Sequence, residues 1–172
     1  MSSNTTTINK VPNTEFIKEK VSYDNAQADC VSRATVKGAG WTGGLASLSN
    51  RADRDAVAKE IGTLFKKGDW TKYWLGFKGV NGNENKMTAA ANWTWSDGTP
   101  VPLVKADWHH NDSDKIRIQG DCGLAMSPLN HDGRLNALPC DWTAYYVCQY
   151  HFDVAAAAKE TAEAGEAAAN NA

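Results

Sequence analysis

Apolar positions fall in short clusters along the chain, with one clear helical stripe. Phe16, Ile17 and Val21 predict a short strand over residues 15–21. Ser22 then reads as a helix N-cap, because a serine hydroxyl can accept a hydrogen bond from an orphan backbone N–H. Ala26, Cys30 and Ala34 recur at i, i+4 and share one face of the helix that follows. Gly38, Gly40, Gly43 and Gly44 end it in a loop around Trp41. After the brief apolar run Leu45-Ala46-Ser47-Leu48, Ser49 can cap a second helix. There Val57, Ile61, Leu64 and Phe65 form a stripe read as core packing. Residues 73–77 predict a buried strand, and residues 92–95 a second with Trp93 and Trp95 on one face. Residues 123–126 and 145–150 read as closing strands. From Ser96 to about Cys122 the pattern is irregular, and such a stretch inside a compact domain is usually functional or disordered.

The ends differ from this body. Residues 1–13 are polar, read as a flexible lead-in, and show no apolar leader segment. Residues 14–152 form the expected domain, and residues 153–172 a tail. Ten of the nineteen residues from Val154 onward are Ala, so helix propensity is high while there is little to bury. The tail is expected as a solvated helix or disordered extension, with a tether or assembly segment as the functional alternative. The whole chain has 172 residues and a net charge of −2, contributed by the tail alone. The neutral body lacks the basic excess of nucleic-acid-binding domains. With 42% hydrophobic and 22% charged residues the composition is that of a globular domain, and no run of about 18 apolar residues could span a membrane.

Four cysteines stand at 30, 122, 140 and 148 without a C-x-x-C pair, so zinc-knuckle and thioredoxin-like chemistry have no support. An even number fits two disulfides with three connectivities, and hence an extracellular or secreted protein; four buried thiols in a cytosolic one are the alternative. Three N-x-[ST] acceptors, at Asn4, Asn92 and Asn111, agree with a glycoprotein. Adjacent His109 and His110 read as loop surface, since metal sites need three or four convergent ligands. No hydrolase, zinc-protease or P-loop motif occurs, and the chain reads as not an enzyme.

Several landmarks follow in order: Cys30 in the first helix, Leu45-Ala46-Ser47-Leu48, Trp74-Leu75-Gly76-Phe77, Trp93-Thr94-Trp95-Ser96-Asp97-Gly98, Trp108, Asp121-Cys122, Leu138-Pro139-Cys140 and Tyr146-Val147-Cys148. Together they resemble the C-type lectin-like domain family, over about residues 14–152, and Trp-Leu-Gly-Phe is similar to that family's W-I-G-L core motif. The resemblance implies an α+β fold, with two helices flanking two small antiparallel sheets and a long projecting loop. It implies disulfides Cys30–Cys148 and Cys122–Cys140, the short form. It also implies that Trp74, Trp93, Trp95 and Trp108 are core residues.

Many members of that family read sugars through Ca²⁺, and others bind proteins or ice or serve as structural or viral surface parts. Counting from Trp108, Asp112-Ser113-Asp114 stands where sugar-binding members carry Glu-Pro-Asn or Gln-Pro-Asp. Gly120 stands where they carry a further Glu, and Leu135-Asn136-Ala137 where they carry Trp-Asn-Asp. The implied calcium and ligand set is therefore Asp112, Asp114 and Asn136, with Asp121 assisting. It is short of the six to eight oxygens that calcium takes. The second, structural ion site is expected to be absent, because Gly79 and Asn83 occupy the stretch that supplies its acids. Trp41, flanked by glycines, is a further candidate for ligand contact. Two readings follow. One is a carbohydrate-recognition module acting through the long-loop face, residues 107–120. The other is a calcium-independent protein-binding or structural module on a cell or virion surface. The partner is accordingly a glycan or a protein surface.

Overall fold

The computed structural model describes residues 4–65, 71–79, 93–101, 107–108, 121–127 and 133–169. Eight strands and three helices follow in the order β1 (Thr5–Ile8), β2 (Thr14–Val21), α1 (Tyr23–Val36), β3 (Trp41–Leu45), α2 (Arg51–Gly62), β4 (Thr71–Gly79), β5 (Trp93–Trp95), β6 (Cys122–Ser127), β7 (Leu135–Leu138), β8 (Ala144–Phe152) and α3 (Val154–Ala169). The fold is α+β. The strands run β1-β2-β8-β4-β6-β7, with β3 also on β8 and β5 also on β4. Two antiparallel groups are thus joined into one sheet. The join between these two small antiparallel groups is a short parallel pairing, Tyr73 with Tyr145 and Trp74 with Tyr146.

Residues 1–13 were expected as a flexible lead-in; from Asn4 onward, the described part of it is tied to the body instead. Thr5–Ile8 pairs antiparallel with β2, and Ile8 and Val11 are buried in the core. Two apolar side chains, Ile8 at the end of β1 and Val11 within the turn that follows, tie this part down despite its polar composition. Ser22 is the N-cap of α1 but makes no side-chain cap bond. At α2 the cap is Asn50, not Ser49, with its side chain accepting from the Ala52 N–H at 2.8 Å. Trp41 lies in a strand rather than a glycine loop, because β8 supplies a complete ladder from Phe152 back to Cys148. The glycines there serve close packing: a Cβ on Gly43 would meet the Tyr150 ring and Ala34, and one on Gly44 the Gln27 amide. Strand β7 has no clear apolar alternation and was not expected. The tail forms α3, whose first turn is capped by Asp153.

The core divides between the two helices. One cluster joins Val57 and Ile61 of α2 to Phe16, Tyr73, Leu75, Phe77, Trp93, Trp95 and Trp108. Phe77 stands at their centre, with ring centroids 4.9 Å from Trp95 and 5.9 Å from Trp108, in edge-to-face arrangements favoured by the ring quadrupoles. Leu64 and Phe65 join this cluster from the turn that follows α2. The other joins Ala26, Cys30 and Ala34 of α1 to Trp74, Leu124 and Tyr146. Gly76 permits the approach of the two parts: its N–H donates to the Ala46 carbonyl at 2.9 Å, and a Cβ there would collide with the Leu45 carbonyl. Cys30 is bonded to Cys148, tying α1 to β8, and Cys122 to Cys140, closing the β6–β7 region.

Candidate functional site

The root of the long loop is held from both ends. On the outgoing side, Trp108 is fully buried and bridges in parallel to Leu135 at the start of β7. Its neighbour Asp107 pairs with Arg54 of α2, while Arg51 approaches the same carboxylate at 3.6 Å. Arg54 is only 1% exposed and also donates to the carbonyls of Leu48 and Ser49, at 2.9 and 2.8 Å. Burial lowers the Arg54 pKa, against the opposing pull of Asp107. On the returning side, the Asp121 carbonyl accepts from the Gly79 N–H at 2.8 Å, and Cys122 enters β6. Residues that leave after Trp108 therefore return beside β4, β6 and β7.

Of the expected ligand residues, Asp112 and Asp114 lie outside the described residues, as do His109 and His110. Asn136 is buried in β7, and its Oδ1 accepts from the Ala137 N–H at 2.8 Å. It pairs with Leu124 while Cys122 pairs with Leu138, which sets Asp121 three register positions away along the β6–β7 pair, about 10 Å of strand. Among the described residues no group of three or more His, Cys, Asp or Glu is gathered that could hold a metal ion. A calcium shell takes six to eight oxygens, and the described residues do not fit one by themselves.

Trp41 is half-buried in β3, opposite Phe152, with ring centroids 5.2 Å apart. It lines a groove of about 430 Å³ together with Glu15, Lys37 and Tyr150. None of these three was singled out in the sequence; they come from three separate elements and only the fold unites them. A smaller polar recess of about 190 Å³ lies over Ser47, Ser96, Gln149 and His151. Part of its polar surface is already engaged: Gln149 Oε1 accepts from the Ser47 N–H at 3.1 Å, and the Ser47 and Ser96 hydroxyls pair at 2.9 Å. Trp142 is half-exposed, with the Lys72 ammonium 5.5 Å from its ring centre.

Comparison with known proteins places this geometry. The family model described as the Lectin C-type domain matches residues 19–150. The secretory phospholipase A2 receptor of Oryctolagus cuniculus is 24% identical over 111 residues, which are 64% of this chain and 6% of that protein. The chain therefore spans a small part of that relative's length. Among solved structures, the C-type lectin CEL-I from Cucumaria echinata is similar with a TM-score of 0.60 and 17% identity, covering 89% of this chain and 99% of that one. Ovocleidin-17, a major protein of the Gallus gallus eggshell calcified layer, has a TM-score of 0.56 and 23% identity, covering 87% and 97%. Among the described residues no helix is long and apolar enough to cross a membrane.

Proposed function

The chain belongs to the C-type lectin domain family, and from that membership we propose that it is a non-enzymatic recognition module that binds carbohydrate through its long-loop face, residues 107–120. The single observation that carries this reading is the anchored root of the loop. Arg54 and Asp107, the Trp108–Leu135 bridge and the Cys122–Cys140 bond fix where the loop leaves and returns, next to Asn136. A loop with rigid ends is suited to recognition, since binding residues concentrate on loops positioned by a scaffold. Asp112, Asp114 and Asn136 are the contact residues in this reading, with any calcium held weakly because the acid set is short. Two disulfides agree with an extracellular or secreted setting.

A second reading, a calcium-independent protein-binding surface, is favoured by one observation. The Asn136 carbonyl oxygen already accepts the Ala137 N–H, and Ala137 offers no carboxylate. Two measurements separate the readings. On a glycan array, the first reading expects signal that EDTA removes; silence on the array with a captured protein partner supports the second. A thermal melt is the companion: calcium that binds only the native state raises the midpoint, and an unchanged midpoint at millimolar calcium removes the ion from the site.

A further inference from the structure

The groove beside Trp41 lies on the β1, β2, β8 and β3 side of the sheet, with β4 separating it from β6 and β7, where the long loop is rooted. Two aromatic residues line it, Trp41 and Tyr150, with Trp41 the more exposed. Trp41 stands opposite Phe152 and Gly43 opposite Tyr150, so the three rings rise from one face of the β3–β8 pair. Helix α1 crosses that face and stops at Val36, leaving Trp41 beyond its end. The C-cap residue, Lys37, turns its ammonium over the Tyr150 ring, 4.3 Å from the centre, and bonds Glu15 Oε1 at 3.0 Å. The Tyr150 hydroxyl donates to the other Glu15 oxygen at 2.9 Å. At the rim, Asn13 occupies the turn into β2 with φ 54°, and its carbonyl accepts the Tyr150 N–H at 2.9 Å. Thr7 and Thr14 complete the lining.

These groups define the ligand by their chemistry. An indole presents a flat apolar surface, whereas the rim offers a carboxylate, an ammonium, an amide and a hydroxyl. Lys37 and Glu15 neutralise each other, so the groove has no net charge with which to select an ion. Its volume, about 430 Å³, falls within the range of small-molecule sites. A neutral molecule with one apolar face and a ring of hydroxyls matches both surfaces. We propose that the Trp41 groove is a second, calcium-independent saccharide site. It takes a neutral hexopyranose with its apolar face on the Trp41 indole and its hydroxyls on Glu15, Lys37 and Asn13.

The test uses the full, ¹⁵N-labelled chain in EDTA, which keeps any calcium-borne binding at the long loop out of the readout. Methyl glycosides of glucose, galactose and mannose are titrated to millimolar concentration while amide and indole resonances are followed. The expected result is a saturable shift of the Trp41 indole N–H and of the Lys37 and Tyr150 amides with at least one of them. Trp41→Ala is expected to weaken that binding by at least about tenfold, the equivalent of 1.4 kcal/mol. Because Trp41 also packs on Phe152, Glu15→Gln is the second variant; it keeps the size of the side chain and is expected to weaken binding severalfold. Three results overturn the proposal: no shift at these positions with any glycoside, shifts confined to residues 107–121, or a stronger response to the anionic sugar N-acetylneuraminic acid. Failure here leaves the long-loop reading standing, since that reading is decided by the array with calcium present.

Discussion

Arg54 is a charged residue fully buried on a helix whose other buried positions are Val57, Ala58 and Ile61. Its guanidinium is tolerated because it is shared among Asp107 and two backbone carbonyls, and a planar fork suits several acceptors at once. Removing one partner of a buried pair leaves the other uncompensated, which costs about 3–5 kcal/mol. Arg54→Ala is expected near the lower end, about 3 kcal/mol, because Asp107 keeps some solvent and Arg51 is close by. Urea denaturation would read the loss, and Arg54→Lys should recover only part of it. The role of Arg54 was not legible in the sequence, where it sits among other charges at the start of a predicted helix. The tryptophans were legible, since Trp74, Trp93, Trp95 and Trp108 all fall in the core. The cap of α2 was displaced by one residue because Ser49 and Asn50 are both good capping types and only the backbone distinguishes them.

At the scale of elements, the strands with strong apolar character were readable and those made by their neighbours were not. Strand β4 carries a continuous run from Tyr73 to Phe77, all buried. Strand β3 holds two glycines and β7 only four residues; each owes its conformation to pairing with β8 or β6. The same limit applies to the Trp41 groove, whose lining comes from β1, β2, α1, β3 and β8. The long loop was legible as an irregular segment, and the acids proposed on it lie outside the described residues. The two disulfides differ in what they constrain. Cys122–Cys140 spans 18 residues and Cys30–Cys148 spans 118. Loop entropy alone gives about 3 kcal/mol for the shorter and about 4–5 kcal/mol for the longer. Replacing both cysteines of each pair with Ala should therefore destabilise the Cys30–Cys148 variant more, as measured by the midpoint of chemical denaturation. An equal or reversed order would assign the stabilisation to native packing instead.

For the molecule as a whole, the notable titratable groups are phenols. Burial raises the pKa of Tyr23, Tyr73, Tyr146 and Tyr150, and carboxylates that accept the hydroxyls of Tyr146 and Tyr150 raise those two further. The folded state therefore holds protons that an unfolded chain releases near pH 10. The contribution is complete below that pH and is lost as pH rises toward the higher folded values. Denaturation midpoints are expected to fall steeply above about pH 10 and to stay level through the neutral range as far as these groups are concerned. Tyr150→Phe, which removes one of these protons, should flatten the alkaline limb.

The bond between Cys30 and Cys148 also governs how the domain would carry tension. It encloses the rest of α1, β3, α2, β4, β5, β6, β7 and β8 as far as Cys148 within one covalent ring. A pull applied through β1 at one end and α3 at the other would peel only what lies outside that ring, namely β1, β2, most of the first two turns of α1, and the last residues of β8. The load would then pass through the sulfur bridge and bypass the sheet, leaving the long-loop root at Trp108 and Leu135 under no strain. The root of the proposed recognition loop is in this sense mechanically isolated while the ends of the chain are drawn apart.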